Sequence, residues 1–165
     1  MKTIIIYATK YGYTQDCVEV MKTQLQGDVL TVNILTDKIS SLDAFDDVII
    51  GGSIYMGQIQ KKLKAFCESN MSSLLKKRLS LFLCCGLPEN FQQSQANAFP
   101  DQLREKAIAS ECFGGELRTD KMKGPDRIIS GLMKKAAGDQ GKAEVIQLPE
   151  NISKLTSAMN LERQV

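Results

Sequence analysis

Between Ala8 and Gln15 the chain reads Thr9-Lys10-Tyr11-Gly12-Tyr13-Thr14. These residue types suit an anion: hydroxyl donors, one cation, and a glycine that lets the backbone close around a guest. The segment lies between an apolar run, Lys2 to Ala8, and the start of a helical pattern. A helix N-terminus leaves backbone N–H groups without partners and presents the positive end of its dipole. The segment therefore reads as a phosphate cradle. A plainer reading fits the same residues, with Thr14 capping the helix and Gly12 making a turn. The G-K-[ST] of a nucleoside-triphosphate loop is missing, and so is the GxGxxG of a dinucleotide fingerprint.

Two further segments carry candidate chemistry. Gly52-Ser53-Ile54-Tyr55-Met56-Gly57 follows one apolar run, and Cys84-Cys85-Gly86-Leu87-Pro88-Glu89-Asn90 ends another. Tyr55 can stack on a flat guest, or be an ordinary surface tyrosine in a glycine-rich turn. Cys84 and Cys85 read first as small buried hydrophobes closing a strand. A thiol working beside a redox group is the sharper alternative. Neighbouring strand residues face opposite ways, so at most one of the two can meet such a group.

The chain has no histidine. That removes His-based acid–base catalysis, Ser-His-Asp triads and His metal ligands. Its 5 cysteines are Cys17, Cys67, Cys84, Cys85 and Cys112. An odd number with no CxxC pair favours free thiols, and no metal site is expected. No catalytic side chain is identified, so the chemistry is assigned to something the protein binds. Asp126-Arg127 and Lys134-Lys135 can bind an anionic substrate, or form a solvated helix face.

The elements that position these segments follow from periodicity. Lys2 to Ala8 is a buried strand. Gln15 to Leu25 is an amphipathic helix with Cys17, Val18, Met21 and Leu25 on one face. Val29 to Leu35, Asp46 to Gly52 and Leu79 to Cys85 are further strands. Ile59, Leu63, Phe66 and Cys67 mark a second helix. A third runs from Pro100 to about Ala109. Phe113 to Leu117 reads as a fifth, shorter strand, and Pro125 to Ala137 as a late helix. Thr119 to Gly124 is the most loop-like stretch. Val145 to Leu148 is a short extended piece, and the C-terminal end a weak helix. Strands alternating with helices imply a parallel sheet covered on both faces. Guests of such sheets bind beyond the carboxyl ends of the strands, where the strand order switches.

The 165 residues suit one domain, residues 1 to 165. The net charge of +2 and the lack of a dense basic tract give no sign of a nucleic-acid partner. The apolar start is too short for a secretory h-region, and no apolar run is long enough to span a bilayer. A cytoplasmic protein is expected, with no integral membrane segment and with peripheral membrane contact left open.

The T-K-Y-G-Y-T segment resembles the flavodoxin phosphate loop, hydroxyl-x-hydroxyl-Gly-x-hydroxyl, placed directly after strand one. The resemblance extends over nearly the whole chain. The stretch DDVIIGGSIYMGQIQKKLKAFCESN is similar to the flavodoxin-like branch that includes menaquinone-dependent protoporphyrinogen oxidase, and PDRIISGLMKK resembles a later segment of it. This resemblance implies a flavodoxin-like doubly wound five-stranded parallel sheet with helices on both faces. It implies non-covalent FMN, its phosphate on Thr9, Lys10, Tyr11, Gly12, Tyr13 and Thr14. The isoalloxazine ring is then expected between Ser53, Ile54, Tyr55, Met56 and Gly57 on one side and Cys85, Gly86, Leu87 and Asn90 on the other.

For activity it implies an FMN-dependent oxidoreductase, moving electrons from protoporphyrinogen or a similar planar substrate to a quinone. The substrate loop of that branch corresponds to Thr119 to Arg127. The alternative is a small flavodoxin-type electron-transfer protein docking on a redox partner. Acidic surroundings and a tryptophan sandwich typify the low-potential carriers. This chain is slightly basic and has no tryptophan, which favours the oxidoreductase. A third reading is a flavodoxin-fold binding module without redox turnover or a receiver-like domain; a receiver is disfavoured, because the first and third strands do not end in aspartates.

Overall fold

The structure is a computed structural model, and it describes residues 1–116, 121, 124, 125 and 146–161. The run Ile4-Ile5-Ile6-Tyr7-Ala8 is buried at every position, which only a strand covered on both faces allows. It forms most of β1, Lys2–Ala8. β2 (Asp28–Asn33) and β3 (Asp47–Ser53) pair with β1 in parallel on either side. β4 (Arg78–Cys84) pairs with β3, and β5 (Ser110–Cys112) with β4, also in parallel. The strand order is β2-β1-β3-β4-β5, so the chain reverses direction across the sheet between β1 and β3. This is the doubly wound five-stranded sheet expected.

Alternating strand residues build two cores. Ile4, Ile6, Ala8, Val48, Ile50, Leu79, Leu81 and Leu83 fill one face. They meet Leu63 and Cys67 of α2 (Lys61–Ser69), Leu74 of α3 (Met71–Leu74), Ala98 of α4 (Phe91–Ala98) and Leu103 of α5 (Asp101–Lys106). Ile5, Tyr7, Ile49, Phe82 and Cys84 fill the other face. They meet Cys17, Val18 and Met21 of α1 (Tyr13–Gln24) and Ile152, Leu155 and Met159 of α6 (Pro149–Leu161). Each fully buried Ile or Leu contributes about 1.5–3 kcal/mol over leaving it exposed.

The structure corrects several expected boundaries. α1 begins at Tyr13 rather than Gln15, with Gly12 at its N-cap and no side-chain cap. Thr14 is thus inside the first turn and does not cap it. β3 reaches Ser53, one residue past the expected end. β4 ends at Cys84, so Cys85 lies beyond the strand.

The fifth strand is Ser110–Cys112 rather than Phe113 to Leu117. Beyond it the chain turns out of the parallel sheet: Gly114 pairs antiparallel with Gln147, and Gly115 N–H donates to Ile146 O at 2.9 Å. The described part of the expected extended piece, residues 146–148, therefore serves as the partner of this turn. The C-terminal end is a helix as expected, the 13 residues of α6, with Ile152, Leu155, Thr156 and Met159 buried. Pro88–Asn90, a 3-10 turn, and α4 were not expected, because the sequence FQQSQANA of α4 shows no apolar period. The expected late helix from Pro125 to Ala137, with Asp126, Arg127, Lys134 and Lys135, lies outside the described residues apart from Pro125. The expected loop from Thr119 to Arg127 does too, apart from Lys121, Gly124 and Pro125.

Candidate functional site: three loops at the carboxyl end of the sheet

β1, β3 and β4 are neighbours, so the loops at their carboxyl ends meet beside the β1–β3 reversal. The first holds Thr9 to Gly12 and leads into Tyr13 and Thr14 at the start of α1. Gly12 takes φ 97°, a left-handed conformation open to glycine and strained for an L side chain. Its N–H donates to Thr9 Oγ1 at 3.0 Å, which ties the loop into a turn. Its carbonyl accepts from Asp16 N–H at 3.1 Å and starts the helix ladder.

Thr14 is fully buried, and its Oγ1 has no hydrogen-bond partner. The Cys84 thiol is near enough for this hydroxyl to favour its thiolate, against the larger effect of burial, but Oγ1 makes no hydrogen bond of normal geometry. A buried hydroxyl without a partner costs about 1–3 kcal/mol. In the first turn of α1, among unsatisfied helix N–H groups, that cost marks a place where an anion is the missing acceptor. The residues therefore fit a phosphate group.

The second loop follows β3. Tyr55 N–H donates to Gln58 O at 2.9 Å and Gln58 N–H to Tyr55 O at 3.1 Å. Met56 (φ 50°) and Gly57 (φ 73°) between them are both left-handed, the signature of a type I′ turn. Met56 is also 62% exposed, so it breaks a backbone preference and a burial preference at one position. Ser53 and Ile54 precede the turn. Gln60 Nε2 donates to Ser53 Oγ at 2.8 Å and fixes that hydroxyl. Gln60 was not singled out from the sequence; only its place shortly after a glycine turn marks it.

The third loop follows β4 and is bound to the second: Ile54 N–H donates to Cys84 O at 2.9 Å. Cys85 is buried and its thiol donates to Leu87 O at 3.3 Å. Leu87 is exposed, and Asn90 N–H donates to Leu87 O at 3.0 Å. Thus the three groups of candidate residues, Thr9 to Thr14, Ser53 to Gly57 and Cys85 to Asn90, occupy one end of the sheet.

A fourth wall was missed. A Cβ on Gly115 would lie 2.9 Å from Gly86 Cα, so these two backbones approach closely because residue 115 is a glycine. The Gly114-Gly115 pair was the available signal, hidden by reading it as strand.

Behind the first loop sit Tyr13, Cys17 and Cys84. Tyr13 Oη donates to Phe113 O at 2.8 Å. Burial pushes its pKa well up, and Cys17 adds to the effect. The Cys84 thiol lowers the pKa of Cys17 by hydrogen bonding, against the opposite pull of burial. Burial, then Cys17, raises Cys84 well above the usual thiol range. All 5 cysteines are free and buried. Among the described residues no group of His, Cys, Asp or Glu could hold a metal ion.

With this geometry, a family model describing a flavodoxin domain matches residues 4–144. The chain belongs to the flavodoxin domain family. No curated protein matches it. Among solved structures, it is similar to a short-chain flavodoxin associated with a non-canonical PDU bacterial microcompartment. There the TM-score is 0.63 and the identity 13%, over 100% of this chain and 99% of that one. A Streptococcus pneumonia flavodoxin follows with a TM-score of 0.55 and 14% identity, over 100% of both chains. A Fusobacterium nucleatum flavodoxin bound to flavin mononucleotide gives 0.53 and 13%, over 98% of both chains. At these identities the likeness establishes the flavodoxin fold. The finer resemblance to the protoporphyrinogen oxidase branch gains nothing from these matches.

Proposed function

We propose that this flavodoxin-family chain binds FMN non-covalently, as one domain, and serves as a small electron-transfer protein. The observation that carries the reading is Thr14 Oγ1, buried and unpaired at the start of α1 behind a left-handed Gly12. The FMN phosphate is the acceptor this hydroxyl lacks. Thr9 to Thr14 hold it, with the helix N–H groups supplying further donors.

When bound, FMN supplies reversible electron transfer at its ring. The chain supplies the rest. Tyr55 offers an aromatic face, and the turn from Tyr55 to Gln58 fixes the backbone that carries it. Cys85, Gly86, Leu87 and Asn90 form the opposite wall, and the buried thiols behind the first loop keep water out. Met56 and Leu87, exposed on the rim, give a docking redox partner an apolar surface. Buried free thiols suit a reducing compartment such as the cytoplasm. No helix among the described residues is long and apolar enough to cross a membrane.

The carrier reading replaces the oxidoreductase as the leading one. The solved neighbours above are flavodoxins, and no observation on the described residues favours protoporphyrinogen or a quinone. The test is an absorbance spectrum of the purified protein before and after adding FMN. Bands near ~450 and ~375 nm that stay with the protein through gel filtration support the reading. Failure to retain FMN at micromolar protein overturns it. Rapid electron exchange of the loaded protein with a reductase or ferredoxin-type donor, without turnover of protoporphyrinogen, separates the carrier from the oxidase.

A further inference from the structure

Lys10 carries the single cation of the T-K-Y-G-Y-T loop, and its ammonium does not simply extend into solvent. Nζ lies 5.6 Å from the centroid of the Tyr11 ring and 5.3 Å from that of Tyr55. Both distances fall within the reach of a cation–π contact, about 6 Å. Tyr11 belongs to the loop after β1, and Tyr55 to the loop after β3. One ammonium thus bridges the loop assigned to the phosphate and the loop assigned to the ring.

The backbone of Tyr55 is already set by its two hydrogen bonds with Gln58. The attitude of the phenol ring is not set by them, because it turns about the side-chain torsions. A cation over one ring face selects one attitude, and leaves the opposite face for a planar guest. We propose that Lys10 is a positioning residue, which holds the Tyr55 ring against the phosphate loop in the orientation that receives the flavin ring. The inference rests on the FMN reading for its consequence, but the Lys10–Tyr55 contact is testable without FMN.

The chain has no tryptophan and 4 tyrosines, so tyrosine dominates its near-ultraviolet circular dichroism. In the FMN-free protein carrying Tyr11→Leu, which keeps Tyr55 as the ring beside Lys10, Lys10→Met is expected to change that tyrosine band while the far-ultraviolet spectrum stays that of the folded chain. Lys10→Arg, which keeps a cation able to stack on the rings, is expected to restore the band. For FMN binding, Lys10→Met is expected to weaken affinity about two- to five-fold, the usual size of one exposed cation–π contact. In a Tyr55→Leu background the same substitution is expected to cost less than in the wild-type background, since the contact to the Tyr55 ring is gone.

An unchanged tyrosine band for Lys10→Met in the Tyr11→Leu protein overturns the proposal. So does an affinity loss of equal size in both backgrounds, which would put Lys10 on the phosphate alone. If the wild-type protein takes up no FMN, the FMN reading falls, and the tyrosine band of the FMN-free variants still decides whether Lys10 orients Tyr55.

Discussion

Two residues near the site hold conformations that their neighbours enforce, and each gives a prediction. Gly12 is left-handed where the first loop enters α1. Valine there is strained by about 1–2 kcal/mol or more, being β-branched. Gly12→Val is expected to weaken FMN binding by roughly tenfold or more, because the variant loop relaxes out of the left-handed conformation and binding must restore it. Fluorescence titration of FMN checks it, and unchanged affinity would remove the phosphate-loop assignment. Met56 sits at φ 50° and is exposed. Asparagine tolerates that conformation, so Met56→Asn is expected to stabilise the FMN-free protein by about 0.5–1 kcal/mol. Urea unfolding measures it. A loss of stability would mean that the Met56 side chain makes a contact worth more than its backbone strain.

At the scale of elements, Asp47 and Arg78 join three pieces at the end of the sheet away from the site. Asp47 is fully buried at the start of β3 and pairs with Arg78 Nη1 at 2.9 Å, while Arg78 Nη2 donates to Met159 O of α6 at 2.8 Å. Thr3 Oγ1 donates to the same carboxylate at 3.3 Å. The pair fastens α6 to β3 and β4. Breaking a buried ion pair by removing one partner costs about 3–5 kcal/mol. Arg78 is partly exposed, so Arg78→Met is expected at the low end, about 3 kcal/mol, read as a lower urea midpoint with unchanged slope. A loss below about 1 kcal/mol would place the pair with ordinary surface ion pairs. FMN affinity of the folded variant is expected to change little, because this pair and the three loops occupy opposite ends of the strands.

At the scale of the whole molecule, the buried thiols link stability to pH. Burial pushes Cys67 up to about 12, and burial also raises Cys84 and Cys112. An unfolded cysteine titrates near ~8.5. A folded-state pKa above the unfolded one contributes stability that is complete below the unfolded value and lost as pH rises through the folded one. The window for Cys67 therefore runs from roughly 8.5 upward to about 12. Cys17 runs the other way, because its pKa is lowered. Unfolding midpoints are expected to fall between pH ~8.5 and ~11, and Cys67→Val to flatten part of that slope. An identical slope in the variant would show that Cys67 is hydrated in the folded protein. The same burial predicts that a thiol reagent leaves the native chain untouched at neutral pH and finds all 5 cysteines in denaturant.

The sequence by itself determined the parts of this protein that rest on local pattern. β1 was legible to its ends because Ile4 to Ala8 has no polar break, and α1 because Cys17, Val18 and Met21 repeat at helical spacing. The three site loops were legible because glycine and hydroxyl residues interrupt apolar runs there. Contacts between distant residues were decided by tertiary structure alone. β5 is a strand because β4 supplies a ladder for Ser110, Glu111 and Cys112, whose side chains show no strand pattern. α4 is a helix despite its polar sequence because Ser94, Gln95 and Ala98 are buried against the rest of the fold. α6 runs the length it does because Phe82 on the sheet, with Phe113 just beyond β5, helps bury Ile152, Leu155 and Met159. The unpaired hydroxyl of Thr14, the approach of Gly115 to Gly86, and the bridge from Lys10 to Tyr55 are likewise products of packing. No spacing along the chain encodes them, because each joins or isolates groups that only the folded sheet brings into range.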